Sequence, residues 1–589
     1  MKKLLQNIIF PKEGICDVKE MYYRHSGNLT LDNEVIQMEQ GCRISFDTYF
    51  NAFSVGKWKK YTVIDNVSLR FEYIGDIKLM LYHFLLDLKG GVVKTLIGEK
   101  RIHSGSAKHV IETVSYGEIK DDGIYAFEIV ANEDSVIYNM SYCTEVSNNY
   151  VIKKINFALG FCTYKREEYI LNNLQNIRNG IIDNNKSILN GHLHVFIADN
   201  GQTLPDVNSD NIHMFKNKNY GGVGGFTRTI IESVFNSKVH FDYIILCDDD
   251  IVLDCRIIER TYIFVQFLKK EYDGNMIGGA LLSLEEKNTQ VENGGIFFKN
   301  KILRNKGFDL KRLSFLLSNE ECVDIANHNG WFYCCIPTNI VKRDNLPLPI
   351  FIHYDDVEYG VRNQREVINI NGICIWHPTT TGKDPLWMSY YNTRNHIIVM
   401  SSLGKGIGLL SELFDIIKKY IISLTRYRYK EFEIQMMAIK DFYRGADVFM
   451  SIDPQLQHSE LSSKYKYDWQ EYSGNIEHAN EIGKKKQYIL GVINYFLPSI
   501  KKERSVDNGM PYYDTFLIKK IYNVDKSNHR AYVLSKNYKA AWICLVQAVA
   551  TMIYVITNFN NSRLSWEKKL PRFKSLEFWN EYLQINNKK

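Results

Sequence analysis

The sequence lacks most of the signals that would set a chain of 589 residues apart from ordinary folded proteins. It has no Cys-x-x-Cys pair, and its 11 cysteines are odd in number and irregularly spaced. That excludes a disulfide framework and a cysteine-based zinc site, and makes a reducing cytoplasm the expected compartment. No secretory leader is expected either, because the segment Met1 to Phe10 has two lysines but only a broken apolar stretch that stops at Pro11-Lys12. Charge of one sign is not in excess: 73 basic and 67 acidic residues leave +6, too balanced to imply a nucleic-acid partner. Hydrophobic and charged fractions of 45% and 24% exclude disordered, collagen-like and polytopic membrane chains, and no internal repeat is evident. The longest uncharged run is near the C-terminal end. No charge occurs between Lys539 and Arg563, and residues 540–556 are almost continuously apolar, near the lower limit for a membrane-spanning helix. A buried helix of a helical domain is the first expectation for it, and membrane insertion or shallow membrane contact the alternative.

Aromatic residues are abundant, at 13%, and the length predicts about three or four domains. Residues 1–150 alternate apolar and polar side chains in short runs, as in Val67-Ser68-Leu69-Arg70-Phe71-Glu72-Tyr73, which predicts an antiparallel, jelly-roll-like β-sandwich. The polar stretch Ser147-Asn148-Asn149-Tyr150 is the expected boundary. Residues 151–402 change to apolar strands followed by helical stretches, such as Ile155 to Phe161, His194 to Asp199 and Tyr243 to Asp248, the pattern of an α/β domain with a covered, mainly parallel sheet. Residues 403–589 read as an α-helical domain with lysine clusters at Lys484-Lys485-Lys486 and Lys501-Lys502. The sandwich aromatics Trp58, Tyr61 and Tyr73 read as core, with a carbohydrate groove as the alternative.

Ligands of parallel sheets bind beyond the carboxyl ends of the strands, so the polar residues there are the candidates. Asp248-Asp249-Asp250 directly follows an apolar strand. Three adjacent carboxylates repel one another and call for a cation, and hard oxygen ligands favour Mn²⁺ or Mg²⁺. A solvated acidic turn is the bland alternative. Upstream, Asn219-Tyr220-Gly221-Gly222-Val223-Gly224-Gly225-Phe226-Thr227-Arg228 predicts a glycine loop whose backbone approaches a ligand, with a helix behind it and Arg228 adding charge. It is not the Gly-x-Gly-x-x-Gly of a dinucleotide fold, though an ordinary flexible loop would read the same way. Downstream, Tyr354-Asp355-Asp356 and Trp376-His377 supply a candidate general base and a further metal ligand, although His377 alone would read as a satisfied rim residue.

Together these motifs resemble the family 2 glycosyltransferases of GT-A (Rossmann-like) fold, and most closely the bacterial galactofuranosyltransferases. Cys162-Thr163-Tyr164-Lys165-Arg166, Asp199-Asn200-Gly201, the Asn219 to Arg228 stretch, the aspartate triplet, Asn329-Gly330-Trp331-Phe332, Tyr354-Asp355-Asp356 and Trp376-His377 match that family's motifs in order. The resemblance implies that Asp248, Asp250 and His377 hold the metal. Thr163, Tyr164, Arg166, Asp199, Asn219, Gly221, Gly222 and Asp249 would surround the nucleotide. Asp356 would be the general base of an inverting displacement, and Arg228, Trp331, Phe332, Asp355 and Arg394 would meet the sugar and acceptor. Phe332 and Tyr354 stand where the family has tryptophans, and Asn392 where it has histidine. These departures fall in the expected sugar pocket.

The expected partners are a UDP-sugar donor, with UDP-galactofuranose first, and a cell-surface or lipid-linked glycan acceptor. Peripheral contact at the inner face of the cell membrane is expected, homo-oligomerisation is left open, and no nucleic acid is expected. A transferase of rhamnose or galactopyranose, or a glycan-binding protein acting through its sandwich, would be the alternatives.

Overall fold

The computed structural model describes residues 2–105, 109–147, 151–298, 301–320, 325–378, 385–472, 474 and 476–585. The expected domain boundary at 148–150 lies outside them. The chain forms two compact units: Met1–Lys218, Gly225–Asn345 and Tyr359–Thr379 make the first, and Asn219–Gly224, Leu346–Glu358 and Thr380–Lys589 the second.

The first unit opens with a β-sandwich. Among the described residues, one antiparallel sheet has six strands, with Ser135–Glu145 and Asn66–Ile74 at its centre, and the other has five, centred on Ile124–Ala131 and Asp76–Leu86. Their period-two pattern places Leu69, Phe71, Phe127 and Ile129 in the core, where Phe127 stacks on Phe46 with centroids 4.5 Å apart. Burying one such ring contributes about 1.5–3 kcal/mol. Trp58, Tyr61 and Tyr73 are also buried and serve packing, although Tyr61 touches the wall of a small cavity beside the sandwich.

Beyond the sandwich lies a mixed sheet of nine strands among the described residues. Ile212–Lys216, Leu193–Asp199, Phe157–Thr163 and Tyr243–Asp248 run parallel in that spatial order, and Cys334–Pro337 joins antiparallel to the last. These strands are apolar on both faces because helices such as Cys255–Gln266 cover them. From Phe157–Thr163 the chain steps outward through two strands and then returns on the other side with Tyr243–Asp248, creating a topological switch point. One hydrophobic core runs through sandwich and sheet alike: Trp58 meets Phe264 edge-on at 5.0 Å, and Phe50 lies 6.0 Å from Trp376.

The glycine run is not a loop. Gly221 opens the helix Gly221–Val234, so the glycines occupy its first turns. The reason is close packing, since a Cβ at Gly225 would lie 2.2 Å from the Cys162 sulfur on the neighbouring strand.

The second unit is mainly helical, as the sequence indicates, but it also contains a four-stranded sheet in the order Gln470–Glu471, Arg530–Ser535, Ile518–Asp525, Lys501–Asp507. Tyr427, the left-handed residue ending the helix Leu409–Arg426, donates its hydroxyl to the Ile518 carbonyl at 2.7 Å and ties helix to sheet. Among the described residues one helix, Tyr538–Phe573, is long and apolar enough to cross a membrane. The buried-helix expectation for 540–556 needs correction, because only 28% of the most apolar window of this helix is buried. Ala541, Cys544, Ala548 and Val555 face inward against the unit, while Trp542, Val546 and Ile553 are exposed.

Candidate active site

In the first unit the candidate residues gather at the carboxyl edge of the parallel strands. Register pairs Thr163 with Asp199 and Cys162 with Asp248, so three strand ends present polar groups side by side. A bridge between Val252 and Trp376, with nitrogen–oxygen distances of 2.8 and 3.2 Å, brings the end of Val367–His377 against the aspartate triplet. His377 Nε2 then lies 3.0 Å from Asp250 Oδ1, and ligand atoms of Asp248, Asp250 and His377 all fall within 4.8 Å of one another.

Arg166 sits across the triplet, with Nη1 2.9 Å from Asp249 and 2.6 Å from Asp250. Burial, then the charge of Asp250, pushes the Asp248 carboxyl up to about 7. Burial also raises Asp249, against the pull of Arg166 and Thr163. Burial acts the same way on Asp250, but His377 and Arg166 outweigh it and hold that carboxyl below its ordinary value. For His377, burial disfavours the charged ring, yet the bond to Asp250 and the charges of Asp250 and Asp248 lift it to about 9. A carboxyl raised to about 7 is one whose ionised form has too little positive charge around it. A divalent cation held by two carboxylates and an imidazole would supply that charge, and the donor set suits Mn²⁺.

Other first-unit candidates carry structural duties. Asp199 is fully buried and accepts hydrogen bonds from the Gly201 and Leu204 amides at 3.0 and 2.9 Å, holding the loop behind its strand. Tyr164, by contrast, is exposed just past the strand end, with the Lys165 ammonium 5.4 Å from its ring centroid. Arg228 pairs with Glu232 one turn along its own helix at 2.7 Å and covers the Phe215 ring. Trp331 and Phe332, the expected sugar platform, are both buried, Trp331 edge-on to Phe226 at 5.4 Å.

The second unit holds Asn219, Gly221, Gly222, Asp355, Asp356 and Arg394. Asp355 and Asp356 are half-buried and open the helix Asp355–Arg362. The loop before them is strained: Phe351, His353 and Tyr354 have φ of 77°, 64° and 70°, the left-handed region that side chains disfavour. Arg394 does not reach outward from this region. It is buried, donates to the Ile350 carbonyl at 3.0 Å, and lies over the rings of Tyr390, Tyr391 and Phe449. Gly221 is left-handed as well, and a Cβ there would come within 2.1 Å of the Phe351 carbonyl, while Asn219 accepts the Gly221 amide at 3.0 Å.

Three residues have positioning roles that the sequence reading did not assign, although Asn329 stands in one of the matched motifs. Asn395 donates to the Ile350, Ile352 and His353 carbonyls at 3.1, 2.7 and 3.0 Å. Asn173 donates to the Asp249 and Ile251 carbonyls at 3.2 and 3.0 Å, fixing the triplet's backbone. Asn329 donates to the Gly279, Gly330 and Tyr333 carbonyls and so locks the segment carrying Trp331. Asparagine is common in turns, and only the distant carbonyls reveal these roles.

Residues 5–145 match the family model described as galactofuranosyltransferase 2 N-terminal. Over 485 residues the chain is 25% identical to galactofuranosyltransferase GlfT2 of Mycolicibacterium smegmatis, covering 76% of this chain and 72% of that protein. GlfT2 of Mycobacterium tuberculosis is 25% identical over 492 residues, 76% of this chain and 74% of that one. The chain is a galactofuranosyltransferase-like glycosyltransferase. Among solved structures, the mannosyltransferase PcManGT of Pyrobaculum calidifontis, in complex with GDP-Man and Mn²⁺, covers 54% of this chain and 88% of its own, at 8% identity and a TM-score of 0.28. A carbohydrate-binding module of family 29 covers 26% of this chain and 91% of its own, at 15% identity and a TM-score of 0.17. At such scores neither likeness bears on the reading of this glycosyltransferase.

Proposed function

We propose that this glycosyltransferase moves galactofuranose from UDP-galactofuranose onto a hydroxyl of a cell-surface or lipid-linked glycan, by a metal-dependent inverting displacement on a GT-A domain, at the cytoplasmic face of the membrane. The observation that carries the reading is the Asp248, Asp250 and His377 cluster at the carboxyl edge of the sheet, in a chain related to named galactofuranosyltransferases. Mn²⁺ or Mg²⁺ bound there would neutralise the diphosphate of the departing UDP. Arg166 steadies the triplet, and Thr163, Tyr164, Asp199, Asn219, Gly221 and Gly222 are assigned to the nucleotide. Asp356 is assigned as base: it takes the acceptor hydroxyl proton as that oxygen bonds to the anomeric carbon and the bond to UDP breaks. Asp355 is assigned to acceptor hydroxyls.

A donor screen with linkage analysis tests the sugar. Turnover of another nucleotide sugar and none of UDP-galactofuranose would end that assignment. Asp356→Asn should keep UDP binding in calorimetry and cut turnover by about 10²- to 10⁴-fold. Wild-type turnover in that variant refutes the base, and full activity in excess EDTA refutes the metal.

A further inference from the structure

Strand Lys2–Asn7 of the sandwich and helix Cys255–Gln266 of the nine-stranded sheet do not close on each other completely. A cavity of about 780 Å³ lies between them, within the size range of small-molecule sites. Among the described residues, none of those assigned above to donor, metal or acceptor lines it. Six basic side chains and three carboxylates do. The carboxylates are engaged: Glu72 with His109 at 2.5 Å, Glu34 with Arg256 at 3.5 Å, and Glu259 as acceptor of the Ser187 hydroxyl at 2.6 Å. Lys3, Lys186 and Arg260, which also line the cavity, make no ion pair among the described residues.

Arg260 decides what the cavity takes. It is only 6% exposed, and its guanidinium donates to the Asn7 and Gly372 carbonyls at 3.1 and 3.4 Å. Carbonyls occupy its hydrogens without neutralising its charge, and a buried ion that lacks a counter-ion is costly. Asp254 does not supply the counter-ion, because Arg256 holds that carboxylate at 2.8 Å. Burial, then the charge of Arg256, lowers Arg260 to about 10, as expected of a cation with too little negative charge around it.

We infer that this cavity binds a phosphate dianion, free or as the monoester of a small molecule, with the phosphate against Arg260, Lys3 and Lys186. Three uncompensated cations call for about two negative charges, more than one carboxylate carries, and guanidinium and ammonium groups both donate strongly to phosphate oxygens. The cavity is larger than orthophosphate needs, which leaves room for an organic part. Lys3 belongs to the sandwich and Arg260 to a helix of the sheet, so the ligand would touch both sides of the seam. The inference goes beyond the transfer reaction and stands or falls separately from it.

The test is calorimetric titration of the full chain with glucose 6-phosphate, orthophosphate and glucuronate, in metal-free buffer of low salt. A phosphate is expected to bind once per chain with Kd below about 1 mM and to raise the melting temperature. The double variant K3Q/K186Q should bind about 10-fold more weakly or worse. It should keep the ligand-free melting transition and the sugar-transfer rate of the wild type. R260M should abolish binding, and if that variant misfolds the lysine variant carries the test alone. Equal affinity for the two phosphates would identify free phosphate as the ligand, and tighter binding of glucose 6-phosphate an ester; either supports the site. Absence of phosphate binding overturns the inference, as does binding that K3Q/K186Q leaves unchanged. Glucuronate binding as tightly as the phosphates would overturn it too, because a single carboxylate would then suffice.

Discussion

Replacing Asn395 with alanine should cut turnover by releasing the loop that it holds. The Asn395 amide has two hydrogens but meets three carbonyls, those of Ile350, Ile352 and His353, at 3.1, 2.7 and 3.0 Å, so at least one hydrogen is shared. The loop it holds contains three left-handed residues that are not glycine, Phe351, His353 and Tyr354. Each costs about 1 kcal/mol or more, so the loop stores on the order of 3 kcal/mol. Losing the amide removes about 1 kcal/mol per bond, again on the order of 3 kcal/mol, and leaves buried carbonyls without that donor. Support and strain are thus of similar size, and the loop should leave its native form once the support is gone. If the native loop must be regained in each turnover, kcat/KM falls by roughly 100-fold. Steady-state kinetics would read that loss. Hydrogen exchange should rise across residues 350–356 and at the Val223 amide, which donates to the Phe351 carbonyl at 3.2 Å, and not elsewhere. Asn395→Asp should be worse than alanine, because a carboxylate would face three carbonyl oxygens. Wild-type kcat/KM in Asn395→Ala, or exchange rising equally throughout the chain, would refute the reasoning.

Two further outcomes concern stability. Glu412 is raised from 4.5 to about 7, by burial first and then by Asp415. The folded chain therefore holds a proton that the unfolded chain has lost between those values, and stability falls as pH rises through that window. Glu412→Gln should gain up to about 3 kcal/mol at pH 8 and almost nothing near pH 4, read as melting temperatures at both; equal shifts would contradict it. Gly225→Ala should destabilise by about 1–3 kcal/mol through overpacking against Cys162. Adding Cys162→Ala should restore part of that loss, and a strictly additive double variant would show that the two sites do not touch.

The sequence was most legible where local pattern and structure share one cause. Strands apolar on both faces with polar last residues placed Thr163, Asp199 and Asp248 at one edge, because a covered sheet leaves only its strand ends for ligands. The glycine run was misread because its reason is long-range: Gly225 passes Cys162, more than 60 residues upstream. Arg394 was assigned to the acceptor by resemblance alone, yet its contact with Ile350 depends on a chain return that composition does not encode. The sheet of the second unit was missed because its strands, such as Lys501–Asp507, are short and polar, without a clean alternation. The 540–556 segment announced its apolarity but not which half of it faces inward.

Trp58 against Phe264 and Phe50 near Trp376 weld the sandwich to the nine-stranded sheet through one continuous interior. The sandwich is therefore not a separable bead, because it shares its interior with the sheet that carries the aspartate triplet. Any lineage that replaced it would have to rebuild the floor beneath the aspartate triplet in the same step, so the two sheets are inherited as a pair. Drift in the outer strands is free to proceed, whereas change on the shared face must be answered on both sides.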